Sequence, residues 1–206
     1  MKLHFTYNLP DIAQALKVAE QTAECADILG VGSLLLFKEG VKAIQAFKTT
    51  FPNKEIFVEA NLVEKADLAV TMMAQAGASY ISVLAGTFNQ TIKKAVETAN
   101  RFDVKIALNL LDSHSMGQTA MDAKTLGVHL LIMHHAANSE DMDSMLEEWR
   151  NVRDNTKLPI FVTGKIDLSN LTEIIELKPQ GIMIGAAVTK AENPSRAAHT
   201  LRELIP

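Results

Sequence analysis

The sequence lacks several features that would assign it to a specialised class of protein. Cys25 is its only cysteine, so an intrachain disulfide is excluded and a reducing compartment is the expected setting. No apolar run reaches about 18 residues, so no membrane span is predicted. The opening MKLHFTYNLP is too short and too polar to be a signal peptide. Together these absences predict a cytoplasmic protein that does not use a membrane.

The charge balance also bears on which partners to expect. The net charge of −4 gives no reason to expect nucleic acid or an anionic membrane as a partner. The 206 residues are 48% apolar and 21% charged, which is typical of a globular protein with a proper core. We therefore expect one domain that spans residues 1–206, with a small molecule as its partner.

A strand–helix unit repeats along the chain. Eight short apolar runs recur: LHFTY (3–7), ADILGVG (26–32), EIFVEA (55–60), SYISVLA (79–85), VKIALNL (104–110), VHLLIMH (128–134), LPIFVTG (158–164) and GIMIGAA (181–187). Amphipathic stretches of helical period lie between them, as where Ile12, Leu16 and Ala19 share one side of a helix. Strands that alternate with helices indicate a parallel sheet. Eight such units predict the α/β class and a single closed (β/α)8 barrel.

An open, doubly wound sheet is the alternative fold for the same pattern. No G-x-G-x-x-G motif follows the first strand, which counts against the dinucleotide-binding version of that fold.

Polar residues follow the third strand, in the stretch FVEANLVEK (57–65). Side chains alternate along a strand, so Glu59 and Asn61 are expected on the same face, and Glu64 lies in the turn that follows. Active sites of (β/α)8 barrels lie at the carboxyl ends of the strands. These residues are therefore candidate catalytic groups. A surface pair at a helix start is the alternative interpretation, and it carries more weight for Glu64 than for Glu59.

Glycines at the ends of strands seven and eight predict a phosphate site. The loops after these two strands often bind phosphate in such barrels. Gly164 and Gly185 allow backbone N–H groups to approach an anion closely, and Lys165 adds a cation. Two ordinary tight turns are the alternative explanation.

Five segments together resemble a known family over essentially the whole chain. They are MKLHFTYNLPDIAQAL, FKEGVKAIQAFKTTFPNKEIFVEANLVEKAD, MHHAAN, FVTGKI and IGAAVTKAENPSRAA. Their order and spacing are similar to 3-hexulose-6-phosphate synthase and to the related 3-keto-L-gulonate-6-phosphate decarboxylase, members of the orotidine monophosphate decarboxylase superfamily. The resemblance implies a (β/α)8 homodimer with two active sites at the subunit interface. It also implies a sugar-phosphate substrate and a Mg²⁺ ion that stabilises an enediolate.

The resemblance implies a set of site residues, and the sequence departs from the family at several of them. The family signature Asp-x-Lys-x-x-Asp falls on Glu59, Asn61 and Glu64, so the lysine is replaced by an amide. The strand-one aspartate falls on Asn8, and the strand-two glutamate, a metal ligand, falls on Gly30.

Other family positions are kept or partly kept. His134, after strand six, matches the family histidine, and Gly164 and Gly185 match the phosphate loops. Lys165 and Ala186 replace residues usual at the next position of each loop. Of the implied metal ligands only Glu59 remains, so a Mg²⁺ site is expected to be incomplete.

Two functions from different classes are compatible with these residues. The first is a carbon–carbon lyase that acts on a ketose phosphate through an enediolate, either by aldol chemistry on ribulose 5-phosphate and formaldehyde or by decarboxylation. The second is a sugar-phosphate-binding barrel that has lost Mg²⁺-dependent catalysis and has a binding or regulatory role. Decarboxylation of orotidine monophosphate needs an Asp/Lys charge network, and Asn61 disfavours it.

Overall fold

Eight parallel strands close into a barrel in the order of the sequence, which confirms the predicted (β/α)8 fold. The structure is a computed structural model, and it describes residues 1–135 and 142–206. The strands are β1 (Lys2–Tyr7), β2 (Ile28–Val31), β3 (Glu55–Leu62), β4 (Tyr80–Leu84), β5 (Lys105–Asn109), β6 (Leu130–His135), β7 (Ile160–Gly164) and β8 (Gly181–Ile184). The ring closes where β1 pairs with β8, with Phe5 opposite Ile184.

Helices connect the successive strands. They are α1 (Ile12–Thr22), α2 (Ser33–Glu39), α3 (Val41–Thr50), α4 (Ala66–Gln75), α5 (Asn89–Asn100), α6 (Met116–Leu126), α7 (Met142–Asn155), α8 (Leu171–Glu176), α9 (Ala186–Thr189) and α10 (Pro194–Leu204). Among the described residues, no helix is both long and apolar enough to cross a membrane.

Capping residues explain where some helices begin. The Asp11 carboxylate accepts a hydrogen bond from the Gln14 N–H at the start of α1. Asn193 does the same for Arg196 at α10, where Pro194 takes the first helical position. Both satisfy backbone donors that have no partner inside the helix.

Alternation along the strands separates two apolar layers. Leu3, Phe5 and Tyr7 of β1 point outwards and pack in the large cluster that the helices cover. A smaller cluster fills the inside of the ring with Ile28, Phe57, Tyr80, Ala107, Leu130, Ile132, Phe161 and Met183. His4 and Thr6, on the other face of β1, are buried inside the ring with this second cluster. The polar side chains at the carboxyl end of the barrel therefore lie against this apolar cluster inside the ring.

An irregularity in β3 lies beside the polar end of the barrel. The register between β3 and β4 shifts between Val58 and Leu62. Asn61 has φ +46° there, a conformation that asparagine tolerates better than most residues. Its backbone N–H bonds the Ser82 hydroxyl (2.9 Å). Bulges of this kind redirect side chains and are common next to active sites.

Candidate active site

A small polar cavity lies inside the carboxyl end of the barrel, where the sequence predicts the site. Its volume is about 50 Å³. Six of the eight strands contribute to its lining, which is formed by Glu59, Asn61, Ser82, Asn109, Ile132, His134, Thr163 and Met183. The structure thus brings together three of the predicted catalytic residues, namely Glu59, Asn61 and His134.

The Glu59 side chain is largely buried, and its carboxyl group has one hydrogen-bond partner among the described residues. The Thr6 hydroxyl donates a hydrogen bond to Oε1 of Glu59 (2.7 Å). Burial raises the pKa of Glu59 above its ordinary value, and the Thr6 hydrogen bond opposes this only in part. A carboxyl group with a raised pKa can hold and release a proton closer to neutral pH than an exposed one.

His4 lies beside this pair on β1, and burial favours the neutral form of its ring as well. Its Nε2 is 3.4 Å from the Thr6 hydroxyl, and its ring contacts Phe57 at 5.0 Å between centroids. Burial lowers the pKa of His4 to about 3, so the ring is neutral. Its Nδ1 has no hydrogen-bond partner among the described residues.

The imidazole of His4 occupies the space in front of Gly30. A Cβ atom built on Gly30 would lie 2.2 Å from Nε2 of His4, which is far inside contact distance. The His4 side chain is fully buried, so any shift of its ring would disturb the packing around it. The glycine at position 30 and the histidine at position 4 therefore depend on each other, and no side chain at position 30 can reach the cavity while His4 is in place.

Three polar side chains form a connected group on the other side of the cavity. Ser82 donates a hydrogen bond to Oδ1 of Asn61 (3.0 Å), and Nδ2 of Asn109 donates to the same oxygen (2.9 Å). Oδ1 of Asn109 accepts from the backbone N–H of Leu111 (3.1 Å). These bonds fix the orientation of both amide groups.

His134 completes the polar wall of the cavity. It lies on β6 opposite Thr163 of β7. Burial lowers its pKa, and its Nε2 has no hydrogen-bond partner among the described residues. A buried ring nitrogen without a partner, in the wall of a polar cavity, is available to a ligand. Residues 136–138, the end of the MHHAAN motif, lie outside the described residues.

Asn8 and Glu64 do not line this cavity. Asn8 follows β1, and its Oδ1 accepts a hydrogen bond from the Leu34 N–H (2.8 Å) in the first turn of α2. Glu64 is exposed in the turn between β3 and α4. The Thr87 hydroxyl donates to the carbonyl of the neighbouring Val63 (2.6 Å) and ties this turn to the loop after β4. Their predicted catalytic roles stay predictions.

The predicted phosphate residues lie at the ends of the adjacent strands β7 and β8. Gly164 has φ +123°, which residues with a side chain rarely adopt. Lys165 is exposed, and its carbonyl accepts from Nδ2 of Asn170 (2.8 Å). Gly185 precedes α9, and its carbonyl accepts from the Val188 N–H (3.0 Å). The two loops are neighbours at the same end of the barrel as the cavity.

The residues of the cavity do not fit a Mg²⁺ ion, which prefers several carboxylate or carbonyl oxygens in octahedral geometry. Glu59 is the one acidic side chain in its described lining. The Asn61 amide oxygen already accepts two hydrogen bonds. Among residues 1–135 and 142–206, no group of three His, Cys, Asp or Glu side chains is arranged to hold a metal.

Sequence reasoning missed several members of the site. Thr6, Ser82 and Asn109 are polar residues between or beside apolar residues of their strands, and this interruption is a signal that could have selected them as site residues. The contact between His4 and Gly30 has no signal in the sequence, because it depends on the register between β1 and β2.

A closed parallel barrel with a polar cavity at the carboxyl ends of its strands has the arrangement of a (β/α)8 enzyme. The chain belongs to the orotidine 5'-phosphate decarboxylase / HUMPS family, whose model matches residues 1–201.

Individual relatives support this assignment over the full length. A 3-hexulose-6-phosphate synthase from Bacillus subtilis is 26% identical over 208 residues, which cover 100% of this chain and 99% of the relative. A crystal structure of 3-hexulose-6-phosphate synthase matches with a TM-score of 0.92 and 25% identity, and covers 100% of both chains. KGPDC from Streptococcus mutans, in a ligand complex, has the same fold, with a TM-score of 0.92 at 17% identity, covering 98% of this chain and 96% of its own. The resemblance inferred from the sequence is confirmed.

Proposed function

We propose that the protein is a carbon–carbon lyase that acts on a ketose phosphate through an enediolate, as 3-hexulose-6-phosphate synthase does. The single observation that carries the proposal is the full-length similarity to that enzyme. The position of the polar cavity agrees with it, because chemistry in these barrels takes place at the carboxyl ends of the strands.

The geometry suggests how a ketose phosphate lies in the site. The phosphate group binds at the Gly164 and Gly185 loops, with Lys165 and the Ala186 backbone N–H nearby. The reacting end of the sugar enters the cavity, whose small volume suits a carbonyl group and the carbon beside it. Glu59 and the neutral His134 are the groups within that cavity that can take up or return a proton.

The assembly that we propose is a homodimer with active sites at the subunit interface. Glu64 is exposed and does not line the cavity of its own chain, so it can serve a partner's site. Exposed apolar residues near it, Val63 and Leu68, support an interface at this edge of the barrel. The cytoplasmic location expected from the single cysteine is part of the same proposal.

Product formation tests the proposal. Formaldehyde consumption with ribulose 5-phosphate, and carbon dioxide release from 3-keto-L-gulonate 6-phosphate, are measured with and without Mg²⁺. Glu59→Gln removes the proton-carrying group, so turnover is expected to fall by roughly 100-fold or more. Glu20→Gln, which changes an exposed residue on α1, is the matched control and should leave turnover unchanged.

The alternative is a barrel that binds a sugar phosphate without turnover. The absence of a cation at Asn61 is the observation that favours it. It predicts thermal stabilisation by ribulose 5-phosphate with no product. A kcat of ordinary size would exclude it, whereas no turnover on either substrate would overturn the lyase proposal.

A further inference from the structure

Two backbone N–H groups determine which way the amides of the cavity point. A backbone N–H can only donate, so the atom of Asn109 that faces Leu111 must be its oxygen, and its Nδ2 must face Asn61. The backbone N–H of Asn61 donates to the Ser82 oxygen, which leaves the Ser82 hydroxyl proton free to donate to Oδ1 of Asn61. The orientation of Asn61 thus follows from donors that cannot be reversed.

The consequence is that Asn61 presents its NH₂ group to the cavity. Both lone pairs of Oδ1 are used, by Ser82 and by Asn109. Nδ2 of Asn61 donates to no group among the described residues, although Asn61 lines the cavity. Nε2 of His134, in the same wall, is also without a partner there. The donor that these bonds fix on this side is therefore the Asn61 NH₂ group, whereas Nε2 of a neutral His134 donates or accepts according to its tautomer.

A site with free N–H donors attracts an oxygen atom and repels a cation. Elsewhere in the described lining, Glu59 is the one acidic side chain, and Thr6 already bonds one of its two oxygens. His4 blocks any further side chain from position 30, so a second carboxylate cannot join it there. Oriented amide donors in a water-poor site stabilise negative charge that develops on oxygen. They can therefore supply part of the stabilisation that a cation gives to the negative charge of an enediolate.

We propose that Asn61, held by Ser82 and Asn109, forms a metal-independent oxyanion site for the carbonyl oxygen of the ketose phosphate. This inference rests on the proposed function for the identity of the ligand. Asn61 touches the ligand, and Ser82 and Asn109 are positioning residues. A ketose phosphate then binds with the same affinity in EDTA as in Mg²⁺.

Asn61→Asp tests the direction of the hydrogen bonds with a side chain of nearly the same size. It replaces the free donors with acceptors and places a second carboxylate in the cavity that Glu59 lines. Titration with Mn²⁺, followed by electron paramagnetic resonance, should show no stoichiometric binding to the wild type and clear binding to the variant. Asn53→Asp, an exposed change in the turn before β3 at the other end of the barrel, should behave as the wild type.

Calorimetry with ribulose 5-phosphate tests the ligand. The wild-type Kd should agree within about twofold between EDTA and Mg²⁺. Asn61→Asp should weaken binding by about tenfold or more, because it replaces the amide donors that face the carbonyl oxygen with carboxylate oxygens that repel it. If that variant does not fold, Ser82→Ala releases the Asn61 amide and should weaken binding severalfold.

Three outcomes would overturn the inference. They are loss of wild-type binding in EDTA, stoichiometric binding of Mn²⁺ to the wild type, and unchanged affinity for ribulose 5-phosphate in the variants. If the wild type binds no ribulose 5-phosphate under either condition, the proposed function fails, and the Mn²⁺ comparison still decides whether the cavity is a donor site.

Discussion

At the scale of single residues, Glu59 couples the site to pH through its burial. Its pKa is raised from the ordinary value of 4.5, so the folded protein holds this proton to higher pH than the unfolded chain does. Between these two pKa values the folded state binds more protons, and its stability therefore falls as the pH rises. Glu59→Gln cannot ionise, so its melting temperature relative to the wild type should increase as the pH is raised above 4.5.

Thermal unfolding at a series of pH values, from acidic to neutral, measures this difference. Glu20→Gln changes an exposed carboxyl group and should give a difference that does not vary with pH in the same way. A constant difference between Glu59→Gln and the wild type at every pH would show that Glu59 is not desolvated in the folded state.

His4 and Gly30 should behave as a single packing unit. Gly30→Ala forces a Cβ atom against the buried imidazole, and overpacking of this kind costs about 1–3 kcal/mol of unfolding free energy. His4→Ala opens the space that the new methyl group needs. The double variant should therefore be more stable than the sum of the two single changes predicts, by about 0.5–3 kcal/mol. Urea denaturation of the four proteins measures the coupling, and strict additivity would contradict the contact.

At the scale of secondary-structure elements, Asn8 links the end of β1 to the start of α2. Its oxygen bonds the Leu34 N–H, and Gly32, the residue before the helix, has no side chain to do so. Asn8→Ala should cost about 1 kcal/mol of unfolding free energy, as the loss of a helix cap does. Asn8→Asp keeps the acceptor and is the matched control. Equal stability of the two variants in urea would show that the cap does not contribute.

The sequence predicted the secondary-structure elements more completely than it predicted the residues of the cavity. Apolar runs and helical periodicity indicated eight strand–helix units, and closure of the ring followed from their number. Alternation also placed Glu59 and Asn61 in one cavity, although the bulge in β3 was not foreseen. The hydrogen bonds of Ser82 and Asn109 depend on contacts between strands, which no local pattern contains. The resemblance to the family selected Asn8 as a site residue, but its oxygen is bonded to the first turn of a helix.

At the scale of the whole molecule, exposed apolar side chains concentrate near the turn that carries Glu64. Leu68 and Met72 are one helical turn apart on α4, with 63% and 56% of their surfaces exposed. Phe88, just before α5, is 83% exposed and shares a surface groove with Lys65 and Ala66. Apolar patches of this kind mark interaction surfaces, and a second copy of the chain is the partner expected for the proposed homodimer.

Charge substitutions on this patch test the dimer and its link to activity. Leu68→Glu and Phe88→Glu each place a charge in the proposed interface, so sedimentation equilibrium should show a shift from dimer to monomer. Leu204→Glu, at the exposed end of α10, is the matched control and should leave the mass unchanged. If Glu64 serves the partner's site, the monomeric variants should also lose turnover, although the cavity of each chain stays intact. Monomers with full turnover would show that each barrel works alone, and a monomeric wild type would exclude the interface.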